Sequence, residues 1–380
     1  MSAEKPAMRL VFLTDNLKFS GGRNLMLEYS QYLREAGHEV SVLTLKPEGE
    51  LANVFKNVTK VPSFKRAHIP PCDLIVATKP EDVLAGWRSK RGKVVHFCQG
   101  LELIDLEQRI SGAVIPERYK GKGFRAKLTL FRKKISWRIR HFKTERIYRL
   151  PTHLVTVAAP LHSELSRRYK RPVELCLNGI RADSFRPAEK FREPPFTNEH
   201  PLRIVNVGPL DVTFKGIRTT LAAFAELKAQ GAPVRLLRIS PKLLPGEREA
   251  CPMVDEWHEK LPQEKFAALL RSCNAYISNS TEGEGFGLPA LEAMSTGLVC
   301  ILSDIGSYRS FGDPKDYAVF VPEFDASAST SAILELLKAP ADRWNGLRAR
   351  AIEVAKGYSF GDACKKFEAI LRTLVPPSVS

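Results

Sequence analysis

Residues 279–311 read NSTEGEGFGLPALEAMSTGLVCILSDIGSYRSF, and their punctuation decides the fold. The apolar run Ala275-Tyr276-Ile277 precedes the stretch and Val299-Cys300-Ile301-Leu302 falls inside it, giving strand, loop, helix, strand. Gly283, Gly285 and Gly287 let the loop backbone approach a ligand closely, and Pro289 has the φ that suits a first helical turn. The N–H groups of Phe286 to Leu288 then point out of the helix start, where the helix dipole adds partial positive charge. An anion suits that position. Glu284 and Glu292 flank the same opening with seven residues between them, and carboxylates there suit neutral hydroxyls rather than the anion. A phosphate joined to sugars meets both demands. A solvated loop Glu and a dipole-favoured helix Glu would explain either acid alone, so spacing, glycines and Pro together carry the ligand reading.

The string E-G-F-G-L-P-A-L-E-A-M, followed by a small-residue turn, a strand and S-D-I-G, resembles the E-x7-E signature of retaining GT-B glycosyltransferases of the group 1 type. The resemblance implies that Glu284 contacts the donor sugar, the backbone of Phe286, Gly287 and Leu288 contacts sugar and diphosphate, and Glu292 holds the nucleotide ribose.

Outward from this unit, 380 residues suggest two domains, each with its own core. Hydrophobic residues at 44% and charged ones at 26% describe an ordinary soluble globular chain. Seven Cys without CxxC or Cys/His pairing argue against a disulfide framework and for reduced, cytoplasmic thiols. No apolar run approaches a bilayer span, and the N-terminus lacks a cleavable apolar region. Residues 1–7 read as polar and disordered.

Met8 to Thr14 reads as a buried strand, a helix follows from about Arg23 to Ala36, Gly37 caps it, and His38 to Thr44 is the next strand. Gly21 and Gly22 precede the helix; as a turn they are unremarkable, and the resemblance places them facing the donor diphosphate. Residues 73–77 and 93–98 are further parallel strands, the second ending in H-F-C-Q-G-L-E. His96, Gln99 and Glu102 are cleft candidates, with a satisfied core histidine as the plainer account of His96. Family members carry a His near this point; here Gln99 stands closest to it.

The net charge of +16 is concentrated: residues 117–149 hold thirteen Lys or Arg against two Glu. Within this segment Leu128, Phe131, Ile135, Ile139 and Phe142 recur at three and four residues between cations, which is a basic amphipathic helix with Trp137 near its middle. One account packs the apolar stripe on the domain and leaves the charge solvated. The other lays Arg132, Lys133, Lys134, Trp137 and Arg138 against an anionic membrane or an acceptor. No nucleic-acid recognition motif accompanies the charge.

Asn178-Gly179-Ile180 and Phe185-Arg186-Pro187 resemble the family's interdomain link, with Arg181 where an Asp usually stands. The reading divides the chain into a Rossmann-like acceptor-side domain at 1–187, a Pro- and charge-rich linker at 188–201, a nucleotide-sugar-binding domain at 202–356, and a helix at 357–380 that the fold implies returns to the first domain. Residues 202–207 form a strand ending in Gly208; the family carries an Arg after this Gly and a Lys further on, both on the diphosphate. Here Lys215 is kept and Pro209 replaces the Arg, leaving Arg218 or Lys242 as substitutes.

The expected class is therefore α/β, a GT-B pair of doubly wound Rossmann-like domains facing a cleft. The expected activity is metal-independent, cofactor-free sugar transfer, with retention, from a nucleotide-diphosphate donor to a hydroxyl of a glycan or lipid-linked acceptor. Glu284 and Lys215 would be the groups at the reacting centre, in a protein peripheral on the inner membrane face and serving envelope polysaccharide or lipopolysaccharide synthesis. A sugar-nucleotide-binding scaffold with little turnover is the competing reading, motivated by Pro209 and Gln99. A non-hydrolysing epimerase is opposed by the E-x7-E string, and a phosphorylase by the lack of a pyridoxal-phosphate lysine context.

Overall fold

The computed structural model describes residues 6–100, 102–113, 115, 119 and 123–375. Most of the N-terminal stretch read as disordered, parts of the basic segment before residue 123 and the end of the last expected helix region lie outside the described residues. The described residues of 1–106, 135–177 and 361–380 form one compact unit, and those of 107–134 and 178–360 another.

The first sheet contains β1 (Arg9–Asn16), β2 (Glu39–Lys46), β3 (Val58–Lys60), β4 (Leu74–Ala77), β5 (Lys93–Cys98), β6 (His153–Thr156) and β7 (Val173–Leu175). Their order is β3-β2-β1-β4-β5-β6-β7, with every pairing parallel. Continuous apolar runs such as Leu74–Ala77 are buried on both faces, as a parallel sheet flanked by helices requires. The connecting helices are α1 (Gly21–Glu35), α2 (Pro80–Ser89), α3 (Glu102–Ser111), α4 (Phe124–Tyr148) and α5 (Ala159–Tyr169).

The second sheet contains β8 (Leu202–Val207), β9 (Val234–Ser240), β10 (Glu256–Glu259), β11 (Ala275–Ser278), β12 (Val299–Ser303) and β13 (Val319–Val321), in the order β10-β9-β8-β11-β12-β13 and again parallel. Its helices are α6 (Ile217–Ala229), α7 (Glu247–Ala250), α8 (Gln263–Arg271), α9 (Leu288–Ser295), α10 (Gly306–Arg309), α11 (Ala326–Lys338) and α12 (Ala341–Lys356). The last helix, α13 (Phe360–Leu374), lies with the first unit from residue 361 onward, where the Phe367 ring sits 4.9 Å from Tyr29 and 4.6 Å from Phe97. Burying one such ring contributes roughly 1.5–3 kcal/mol.

In each sheet the order reverses once, between β1 and β4 and between β8 and β11. The crevice outside the carboxyl ends of strands at such a reversal is where open α/β sheets hold ligands.

Three expectations are corrected. Residues 178–187 group with the second unit, and 188–201 are a packed strap rather than a free linker: Phe196 is buried beside Trp344, and the Arg192 carbonyl accepts from Asn274 and Arg348. The short, polar edge strands β3 and β10 carry too little apolar patterning to read from sequence.

The third correction concerns Trp137, which the sequence places among the outward-facing residues of α4. Phe124, Leu128, Phe131, Ile135, Ile139 and Phe142 do not pack on the protein but face solvent, with Phe124 80% and Phe131 and Phe142 each 61% exposed. At 100° per residue these six fall within an arc of about 80°. The inward face is instead Trp137, Thr144, Ile147 and Tyr148. Trp137 therefore belongs to the interior, and Lys134 is half-buried.

Candidate functional site

At the reversal in the second sheet, two loops are pressed together. The loop after β8 runs through Gly208 at φ 140° to a short turn at Thr213–Lys215 and Gly216 at φ 60°. A Cβ at Gly216 would lie 1.7 Å from the Asn279 carbonyl oxygen, and one at Gly283 would lie 2.8 Å from Phe214, so only glycine permits this approach. The Thr281 N–H donates to the Phe214 carbonyl at 2.8 Å across the same seam.

This seam brings two sequence-predicted residues together. Lys215 Nζ donates to Glu284 Oε2 at 2.7 Å, and Ser280 Oγ donates to the same oxygen at 3.1 Å. Glu284 is buried and Lys215 is half-buried. The Phe286 ring turns inward, 5.8 Å from Phe311 and 5.9 Å from Tyr358, which leaves its backbone toward the opening. Gly287 caps α9 at φ 92°, where a Cβ would strike the Tyr308 ring. Among the described residues the N–H groups of Phe286, Gly287 and Leu288 donate no hydrogen bond. Three free donors at a helix start form an anion-accepting edge. Glu292 is half-buried on the second turn of α9. Arg218, in the first turn of α6, and Lys242, after β9, are both exposed.

A residue that the sequence reading missed lies under Gly208. Arg238 on β9 is fully buried; it donates to Asn206 Oδ1 at 2.6 Å and to the Gly208 carbonyl at 2.9 Å, and its guanidinium lies 3.4 Å from Glu247. Burial pushes the guanidinium pKa down, and Glu247 opposes that shift. Its charge is paired inside, so Arg238 shapes the loop that carries Pro209 and does not replace the missing surface Arg. Around it Asn206 donates to the Ile277 carbonyl, Thr220 to Asn279, and Asn279 to Ser329. An Arg among the apolar residues of VRLLRIS was the available signal.

In the first unit, Gly21 and Gly22 form the first turn of α1, capped by Ser20 Oγ accepting from the Arg23 N–H. A Cβ at Gly22 would meet Gln99 at 3.0 Å, so these two predicted residues adjoin, while Gly21 faces open space. His96 is corrected from cleft candidate to core: it is fully buried, its ring 4.6 Å from Tyr148, and burial pushes its pKa down to about 3. Glu102 accepts from the Tyr148 hydroxyl at 2.9 Å, and burial raises its pKa. On α4, Arg132, Lys133 and Arg138 are exposed, with Lys133 Nζ 5.7 Å from the Tyr119 ring. All seven Cys are buried and free. Among the described residues no helix is long and apolar enough to cross a membrane, and no three His, Cys, Asp or Glu gather to hold a metal ion.

Residues 187–357 match the family model for glycosyl transferases group 1. The chain is similar to the MMP alpha-(1->4)-mannosyltransferase of Mycolicibacterium hassiacum, 27% identical over 91% of this chain and 94% of that one. It is 24% identical to the phosphatidyl-myo-inositol mannosyltransferase of Mycolicibacterium smegmatis over 59% of each chain, so it spans less than two thirds of that relative. In fold it is similar to Anabaena Alr3699/HepE in complex with UDP-glucose, at TM-score 0.68, 12% identity and coverage of 96% of this chain and 100% of that one.

Proposed function

We propose that this chain, whose residues 187–357 form a group 1 glycosyl transferase domain, moves a sugar from a nucleotide-diphosphate donor to a hydroxyl of a glycan or lipid-linked acceptor with retention of configuration. The observation that carries the reading is the meeting of Lys215, Glu284 and the unbonded N–H groups of Phe286 to Leu288 at the strand-order reversal. As the bond from the anomeric carbon to the diphosphate breaks, negative charge grows on the leaving oxygens and positive charge on the sugar. Lys215 and the three N–H groups are fixed donors for the first, and Glu284 is a carboxylate for the second. Glu292 would hold the ribose. Mannosyl transfer by the relatives and UDP-glucose in the structural neighbour support a sugar-nucleotide donor.

This account of the reaction uses no metal or cofactor. The test is transfer in excess EDTA, with the anomeric configuration of the product read by NMR against that of the donor. Retained configuration and undiminished turnover are expected; inversion, or loss of turnover restored by a divalent ion, would refute that part. Pro209 and the pairing of Lys215 with Glu284 favour a second reading, a nucleotide-binding scaffold, which tight binding without turnover would mark.

The outward stripe of α4 extends the proposal to the cytoplasmic face of a membrane. Six apolar side chains stand along about 27 Å of helix, with Arg125, Lys127, Arg132, Arg138 and Lys143 exposed beside them. Apolar insertion flanked by cations suits an anionic lipid surface. The double variant Phe131→Ser/Phe142→Ser is expected to weaken binding to phosphatidylglycerol vesicles about tenfold or more, since each ring gives up roughly 1.5–3 kcal/mol of burial. Equal binding by wild type and variant in vesicle co-sedimentation would sink the idea.

A further inference from the structure

Beneath the loop that carries Glu284, hydroxyl groups form an unbroken buried chain. The Tyr308 hydroxyl lies 2.7 Å from Ser278 Oγ, Ser278 Oγ lies 3.0 Å from Ser280 Oγ, and Ser280 Oγ donates to Glu284 Oε2 at 3.1 Å. All four side chains are buried. The end of the chain dictates its direction. An ionised carboxylate only accepts, so the one proton of Ser280 goes to Glu284. Ser280 then accepts from Ser278, and Ser278 accepts from Tyr308, so every O–H points toward the carboxylate. Burial, with the Glu284 charge adding to it, pushes the Tyr308 pKa up, and the phenol keeps the proton that starts the chain. Hydrogen bonds in series polarise one another at low dielectric, which links the phenol to a charge two residues removed from it.

Tyr308 is itself fixed. The Tyr317 hydroxyl donates to its carbonyl at 2.6 Å, and its ring closes under Gly287, where a Cβ would lie 2.4 Å from it. The preceding residue, Ser307, donates to the Glu284 carbonyl at 2.5 Å. Lys215 and Ser280 both bond Oε2 of Glu284, while Oε1 accepts no hydrogen bond among the described residues. We propose that Tyr308, acting through Ser278 and Ser280, is a positioning residue that holds Oε2 of Glu284 inward and so presents Oε1 to a ligand hydroxyl. A packing role would need only the ring, which Phe supplies; the chain makes the hydroxyl the working part. That the ligand is a donor sugar rests on the function proposed above, and the positioning of the carboxylate does not.

The test is carbon-13 NMR of the full chain labelled at tyrosine Cζ, whose shift reports the hydrogen bonding of each phenol, with Tyr308→Phe assigning the Tyr308 signal. That signal is expected to move in Ser280→Ala, and in Glu284→Gln, which keeps the shape but removes the acceptor that directs the chain. The Tyr148 signal, from the other unit, should stay in place in both. With UDP-glucose or GDP-mannose as donor, Tyr308→Phe should lower kcat about threefold and Ser280→Ala about tenfold, while UDP and GDP affinity stays at the wild-type level. The double variant Tyr308→Phe/Ser280→Ala should be no slower than Ser280→Ala, because both changes cut one chain. A Tyr308 signal identical in wild type, Ser280→Ala and Glu284→Gln would overturn the proposal, and so would rate losses that multiply in the double variant. A moving Tyr308 signal in a protein that turns over neither donor would strike the transfer reading and leave the positioning standing.

Discussion

Lys215→Ala is expected to lower sugar transfer by about 10²–10³-fold, the usual loss when one preorganised donor to a developing negative charge is removed. The same change leaves Glu284 buried with Ser280 as its remaining side-chain donor, so thermal stability should also fall. Glu284→Gln separates the two effects. Lys215 is held by Glu284 at 2.7 Å, and on the proposed reading a diphosphate would compete with the carboxylate for that ammonium. Removing the carboxylate charge should therefore tighten nucleoside-diphosphate binding while transfer falls. Initial rates and calorimetry on the two single variants and the double variant check this. Strictly additive effects would mean that the pair does not act as a unit.

Glu247→Ala is expected to destabilise the second unit by about 3–5 kcal/mol, because it strands the Arg238 charge in the interior. Both side chains are fully buried. The double variant Arg238→Met/Glu247→Leu should recover most of that stability, since packed apolar residues replace a buried pair at little or no loss. Its nucleotide affinity should stay low, because the Gly208 carbonyl has lost its donor. Denaturant melts with and without UDP or GDP distinguish the two quantities. A melt unchanged by Glu247→Ala would show that Arg238 is not held as described.

The parts of the second site that the sequence revealed were those governed by backbone chemistry. The glycines at 283, 285 and 287 and Pro289 dictate a tight loop into a helix start, and that loop carries Glu284 to Lys215. Periodicity was less informative for α4, because it identifies a stripe without saying which way it faces. Trp137, Thr144 and Tyr148 also recur at helical spacing, and they took the interior while the more apolar stripe was left outside. Arg238 was invisible for a related reason: a charged residue in a strand reads as an edge or surface feature until its partner, nine residues on, is seen to be buried with it. His96 shows the converse, since its position inside an apolar strand that leads into a loop suited both a cleft and a core, and packing against Tyr148 decides for the core.

The most direct test of the donor site is a calorimetric titration of the full chain with UDP, GDP, ADP, CMP and dTDP, repeated on Glu292→Ala. One nucleoside diphosphate is expected to bind wild type, and the variant should lose that binding, which would locate the ribose on α9 and the diphosphate at Lys215 and the free N–H groups. Binding by none of the nucleotides, or equal binding by wild type and Glu292→Ala, would contradict a donor site at the reversal between β8 and β11.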